Sequence, residues 1–198
     1  GMHPPYKSDF TPYIYSEEEI ATLFSTVDKW RDYSINPGSI ALIMPALLRL
    51  IYSTGMRIGE ALSITNIDVD FTRHSICLRK TKNNHERYCA MTPTMEVVIK
   101  EYIRYRNMLP VVGVDAPHAL LFCNNIGGKV NAKAVRGRFY NILIAAGFKI
   151  TPSGYLPRIH DLRHTACVHT MKKMIAAGKD IYCLSLIHIS EPTRHAQI

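Results

Sequence analysis

The groups in this chain that could do chemistry are cations gathered in short clusters. The first cluster is Thr54-Gly55-Met56-Arg57-Ile58-Gly59-Glu60-Ala61-Leu62, where a glycine turn after an apolar stretch sets one guanidinium at a defined point. The second is the polar stretch Arg79 to Arg87, in which Arg79, Lys80, Lys82 and Arg87 meet only Glu86 as a countercharge. The third is His160-Asp161-Leu162-Arg163-His164, placed to open a helix. His160 and Arg163 are three apart, so both reach one side of that helix start, and a helix N-terminus itself favours anions. A fourth, weaker feature is the stripe Lys129, Lys133 and Arg136, joined by Arg138 and Lys149, with no acid between Lys129 and Lys149. These are the side chains that grip phosphate. A guanidinium matches its oxygens with a rigid fork and keeps its charge at any ordinary pH, and a lysine among other cations gives up a proton readily.

Each cluster also has a plainer reading. Arg57 and Glu60 would form a surface ion pair at i,i+3, worth a few tenths of a kcal/mol. The basic turn would be a solvated hairpin tip, with lysine blocking association of sheet edges. His160 and His164 would serve as cap and surface. As an i,i+4 metal pair the two histidines lack a third ligand, since His169 falls on the opposite face, and no metal is expected. The stripe would be an ordinary wetted face, opposite Val135, Phe139, Ile142 and Ala146.

The whole chain must fold to position such groups, and its composition allows it. It has 198 residues, 47% hydrophobic and 20% charged, enough for one good-sized core and not the make-up of a disordered chain. The net charge of +8 favours a polyanionic partner over an acidic protein surface. The longest apolar stretch, Ile40 to Leu48, is too short to cross a bilayer, and the first ten residues lack the apolar run of a signal peptide. The five cysteines, Cys77, Cys89, Cys123, Cys167 and Cys183, are odd in number and contain no C-x-x-C. Reduced thiols and a cytoplasmic setting are expected, not a disulfide framework or a zinc site.

The elements follow from periodicity and punctuation. Residues 1–15 read as an extended lead-in. Ser16 with Glu19 forms a capping box, and Ile20, Leu23, Phe24 and Val27 line one face of the helix it opens. Ser34–Gly38 is a loop. Ile40 to Ser53 is apolar nearly all round and reads as a buried helix bent at Pro45, with Gly55 ending it. From Val69 to Met91 the period shortens. Ile76, Leu78 and Tyr88–Met91 read as strands of a hairpin or three-stranded sheet around the polar turn. Pro93 opens a helix to about Met108, Leu109–Gly113 breaks it, and Asn131 caps a helix ending at Gly147. A last helix runs from near Asp161 to Gly178. The expected fold is α+β, mostly helical, with one small antiparallel sheet.

Taken in order, these motifs resemble the tyrosine recombinases, the phage-integrase family. The matching pieces are Thr-Gly-x-Arg-x-x-Glu-x-x-x-(Leu/Ile) at 54–64, Asp68-Val69-Asp70, Thr81-Lys82 with Glu86-Arg87, and His160-x-x-Arg163-His164-Thr165. The resemblance spans roughly residues 15–183. It implies that Arg57 and Arg163 clamp a scissile phosphate, that Lys82 protonates the leaving 5′ oxygen, and that His160 assists at the phosphate. Lys80, Lys129, Lys133 and Arg136 are then expected to bind DNA. The family cuts one strand with a tyrosine, forms a 3′-phosphotyrosyl link and exchanges strands with no metal or high-energy cofactor. The implied partners are double-stranded DNA and further copies of the chain, with no membrane and no cofactor.

The pattern departs from the family near its C-terminal end. A Gly-His (or Trp) motif and a later nucleophilic tyrosine are wanted there, but the last tyrosine is Tyr182, too early, and His188 lacks its glycine. Leu184 to Arg194 resembles a translated sequencing adapter. The expected organisation is therefore a lead-in over 1–15, a catalytic domain over 16–183 and a non-native tail over 184–198. The expected activity is site-specific DNA recombination in the parent protein, with this chain short of its nucleophile. A non-catalytic DNA-binding module, a type IB topoisomerase-like enzyme and a protein with no nucleic-acid role are the competing readings.

Overall fold

A computed structural model describes residues 11–30, 39–79, 86–151 and 154–178 of the protein. Among them, six α-helices and a three-stranded antiparallel sheet form the α+β, helix-dominated domain that the sequence predicts. Helix α1 (Glu17–Lys29) starts at the capping box: Ser16 Oγ accepts the Glu19 amide at 3.1 Å and Glu19 Oε2 accepts the Ser16 amide at 2.8 Å. Ile20, Leu23 and Val27 are buried on its inner face. The chain before it is not a free lead-in throughout. Tyr15 is 1% exposed, lies edge-on to Phe148, and donates its amide to Thr165 Oγ1 at 3.0 Å.

Helix α2 (Met44–Thr54) is the centre of the core and touches α1, the short helix α3 (Ile58–Ala61), α4 (Pro93–Arg106) and α6 (Ile159–Ala176). Leu47, Leu48, Leu50 and Ile51 are all at most 1% exposed, which is why this segment is apolar all round. One expectation is corrected here. Pro45 does not bend the middle of a helix beginning at Ile40. A 3₁₀ turn covers Ala41–Ile43, and Pro45 sits in the first turn of α2. Proline costs about 3 kcal/mol inside a helix but almost nothing in the first turn, where its amide would lack a partner anyway, so the helix begins where the proline allows. Gly55 ends α2 as expected, in the left-handed region at φ +63°.

The sheet has the order β1 (Val69–Asp70), β2 (Ser75–Leu78), β3 (Arg87–Ala90). Its register pairs Val69 with Ile76, Ser75 with Ala90 and Leu78 with Arg87. On β3 exposure alternates, so Arg87 and Cys89 turn inward while Tyr88 and Ala90 face out. The polar turn between β2 and β3, with Lys80 and Lys82, lies outside the described residues, as do the proposed tail and Cys183. The arginines at the two stems find further countercharges outside that stretch. Arg79 Nε donates to Asp68 Oδ1 at 2.5 Å and Arg87 Nη2 donates to Glu60 Oε2 at 2.6 Å.

Helix α4 ends in a buried cation. Arg106, 1% exposed, donates Nη1 to Asn66 Oδ1 (2.7 Å) and the Leu121 carbonyl (3.1 Å), and its Nε and Nη2 to Asn107 Oδ1. This pins the irregular connection that leads to α5 (Ala132–Ala145), whose N-cap Asn131 accepts the Lys133 amide at 2.8 Å. Val135, Phe139, Ile142 and Leu143 bury one face of α5. Helix α6 packs on α2, where Tyr52 Oη and His169 Nδ1 meet at 2.8 Å. It starts two residues earlier than predicted, because Asp161 Oδ2 accepts the Arg158 amide at 2.7 Å and closes the first turn. Among the described residues no helix is long and apolar enough to cross a membrane. Cys77, Cys89, Cys123 and Cys167 are free thiols.

Candidate active site

Arg57 leaves the core by a fixed route. The left-handed turn at Gly55 reverses the chain, Met56 is buried as an anchor, and Arg57 becomes the N-cap of α3. The expectation of a surface pair with Glu60 is corrected by burial. Glu60 is 4% exposed and takes three hydrogen bonds: the Arg57 amide (2.8 Å) and Arg87 Nη2 (2.6 Å) on Oε2, and Arg57 Nη1 (3.0 Å) on Oε1. Burial by itself would raise this carboxyl. The Arg57 amide and the two guanidiniums outweigh it and hold the group below the usual carboxylate range. Glu60 is therefore an anion throughout the neutral range and a fixed anchor for Arg57.

Arg57 opens onto a cavity of about 520 Å³ that gathers residues from three parts of the sequence. Met56, Arg57 and Ile58 form one wall, Arg136, Phe139 and Tyr140 of α5 a second, and Tyr155 to His160 with Arg163 the third. Arg57, His160 and Arg163, separated by about a hundred residues of chain, thus line a single cleft. Arg136, expected among the DNA-binding stripe, lines it too. Lys129 and Lys133 are exposed on the same side of α5 and its approach but do not border the cavity. Lys80 and Lys82 fall outside the described residues.

Three polar lining residues escaped the sequence reading. Tyr140, 52% exposed, follows Arg136 by one turn, and that i,i+4 spacing is the signal that could have found it. Arg158 occupies the N-cap position of α6, where a small polar residue is the usual choice. Asp161 supplies the cap, and the Arg158 side chain, 49% exposed, borders the cleft. Tyr155 stands in an irregular segment with no periodicity to betray it.

The electrostatics are one-sided. Four guanidiniums and the positive end of α6 face a cavity whose walls include Ile51, Met56, Phe139 and Leu156. Apolar walls keep the local dielectric low and strengthen the field on an anion. The His160 ring meets the His164 ring edge-on at 4.7 Å. Partial burial, then His164, Arg163 and Arg158, hold its pKa below the ordinary histidine value. The free site therefore presents a neutral imidazole at pH 7, ready to gain a proton when an anion arrives. Among the described residues no group of three His, Cys, Asp or Glu side chains is gathered as a metal site. The arrangement can bind a phosphodiester, bear the charge that builds on its oxygens under attack, and place a titratable imidazole beside it.

The chain is similar to known proteins along most of its length. The model described as the phage integrase family matches residues 15–181. The chain is 25% identical over 184 residues to the putative integrase/recombinase y4rB of Sinorhizobium fredii, covering 91% of this chain and 57% of that protein. It is 27% identical over 143 residues to the tyrosine recombinase XerC of Chlamydia trachomatis serovar L2, covering 71% and 41%. It thus spans about half the length of these relatives. The crystal structure of the XerH site-specific recombinase bound to its palindromic difH substrate, a post-cleavage complex, superposes with a TM-score of 0.68 at 23% identity, covering 94% of this chain and 49% of that one.

Proposed function

The chain belongs to the phage integrase family, and on that premise we propose that its cleft binds the scissile phosphodiester of double-stranded DNA for site-specific recombination. The observation that carries the reading is the convergence of Arg57, His160 and Arg163 on one cavity. Two guanidiniums suit the non-bridging oxygens of a phosphate under attack, since each donates two parallel hydrogen bonds and neither can be deprotonated. Glu60 holds the Arg57 guanidinium, and Asp161, by accepting the Arg158 amide, fixes the first turn of α6 that carries Arg163; donors fixed in advance stabilise developing charge without reorganisation.

In the proposed reaction a tyrosine hydroxyl gives its proton to solvent and its oxygen attacks phosphorus as the bond to the 5′ oxygen breaks. The products are a 3′-phosphotyrosyl link and a free 5′-hydroxyl. Lys82 delivers the proton to the leaving oxygen, and His160 donates a hydrogen bond to the phosphate. Lys80, Lys129, Lys133 and Arg136 track the flanking backbone. Partner copies on the same DNA supply the other strands for exchange. The residues as written, Tyr182 and the stretch after it included, do not repeat the family's Gly-His and tyrosine spacing, so this chain binds DNA and leaves it uncut.

A suicide duplex, whose cleaved 5′ end diffuses away, tests this. This 198-residue chain should shift the duplex in a native gel and form no adduct that survives boiling in detergent. The same chain carrying the family's Gly-His and tyrosine should form the adduct. An adduct from the chain as written removes the nucleophile proposal, and the lack of any DNA binding removes the whole reading.

A further inference from the structure

We propose that Arg87 is a positioning residue for the phosphate cleft: held behind it on β3, it occupies one oxygen of Glu60, so that Glu60 orients Arg57 without cancelling its charge. This rests on the reading of the cleft as a phosphodiester site. The Glu60 carboxylate is 4% exposed and lies between two arginines from different elements. Arg57, the α3 cap, bonds to it through its amide and Nη1, and Arg87, the first residue of β3, bonds through Nη2 at 2.6 Å. Arg87 turns inward from its strand, with 24% of its side chain exposed, and does not border the cavity.

The charges decide the role. Arg57 and Glu60 alone make a neutral pair, and a buried carboxylate beside a phosphate-binding arginine works against the anion that the arginine is there to bind. With Arg87 the trio carries a net +1. One carboxylate can then aim Arg57 while a second cation, out of reach of the ligand, offsets its field. A surface guanidinium would be a poor substitute, because water screens an exposed pair and little would be gained. The inward face of β3 removes that screening. The sheet therefore supports the cleft from behind.

The test is a double-mutant cycle on the intact chain, read as affinity for a fluorescein-labelled duplex of random sequence at fixed low salt. Arg87→Met should weaken binding about tenfold, the size of one charge-assisted contact weakened at Arg57. In a Glu60→Gln background, where there is no carboxylate charge left to offset, the same Arg87→Met change should cost less than about twofold. Equal losses in the two backgrounds would mean that Arg87 meets the DNA itself, and no loss in either would mean that it does nothing for the cleft; both overturn the proposal. If Arg87→Met does not fold, Arg87→Gln, which can still donate to the Glu60 carboxylate but carries no charge, takes its place in both backgrounds. Carboxyl ¹³C titration supplies a reading independent of DNA. The Glu60 titration should move to higher pH in Arg87→Met, and an unmoved titration overturns the proposal. A parent chain that binds no duplex would sink the phosphodiester reading alone, and the titration would still judge Arg87.

Discussion

Two regions of this molecule use arginine for opposite ends. At the end of α4, Arg106 is 1% exposed and its donors meet neutral acceptors that belong to the fold: Asn66, Asn107 and the Leu121 carbonyl. In the cleft, Arg57, Arg136, Arg158 and Arg163 border an open cavity of about 520 Å³. Arg57 is held at its root by a carboxylate and keeps 22% of its side chain accessible. The difference is one of acceptors. A guanidinium surrounded by the protein's own carbonyls is a staple, and one that is anchored on one side and open on the other is a binding group. Counting arginines therefore says little, and tracing where each donor goes says a good deal.

The comparison is most easily broken by exchanging the expected losses. Arg57→Ala or Arg163→Ala, in a chain carrying the family's tyrosine, should raise the cleavage barrier by about 3–4 kcal/mol, as removal of a preorganised donor does elsewhere. Neither should shift the urea midpoint much, because Glu60 keeps Arg87 as a partner and the Arg57 amide remains. Arg106→Met should do the reverse. It leaves Asn66 Oδ1 and a share of the Leu121 carbonyl without their donor, at a cost of about 3 kcal/mol of stability, while the folded fraction binds DNA normally. An Arg57→Ala protein that unfolds beside a stable Arg106→Met protein would invert the assignment of the two regions.

Proton linkage at His160 sharpens the contrast more gently. Its pKa lies below the ordinary value in the free cleft, through burial, His164 and the neighbouring arginines. A bound phosphate stabilises the imidazolium and raises that pKa. DNA affinity should thus grow as pH falls from about 8 to about 6, and His160→Gln should flatten the profile. Stability of the free protein moves the other way. The unfolded chain protonates first, so the His160 contribution is lost as pH falls through the unfolded value. Affinity that rises equally with falling pH in His160→Gln would remove the histidine from the account. The smallest effects belong to the α5 stripe. Lys129→Gln and Lys133→Gln should each flatten the dependence of log Kd on log salt by about 0.9, uniformly across sequences. A sequence-selective loss would show that these lysines read bases.

The two regions also differ in how far the sequence betrayed them. Ser16 with Glu19, Gly55 and Asn131 act within four residues of where they stand, and such local signals were legible. The ordered motifs around Arg57 and Arg163 carried the family resemblance, and both residues border the cavity. Helix α3 was missed because four residues hold barely one turn and show no period. The Glu60–Arg87 bond joins positions 27 apart in different element types, so no window could see it, and Glu60 passed for half of a surface pair. Arg106 stands in the last turn of a helix, where a cation is unremarkable, and only the long connection folding over it makes it a buried one. Pro45 was misplaced because the 3₁₀ turn before it extends the same apolar run.

The bond from the Tyr15 amide to Thr165 Oγ1 bears on how the protein is made. It crosses 150 positions, and Thr165 lies two residues past Arg163, on the helix that supplies the third wall of the cavity. During synthesis α1 and α2 can pack as soon as they emerge, but this contact must wait until nearly the last described helix has been made. Closing so large a loop is slow, so the cleft takes shape late, once α6 can pack on α2.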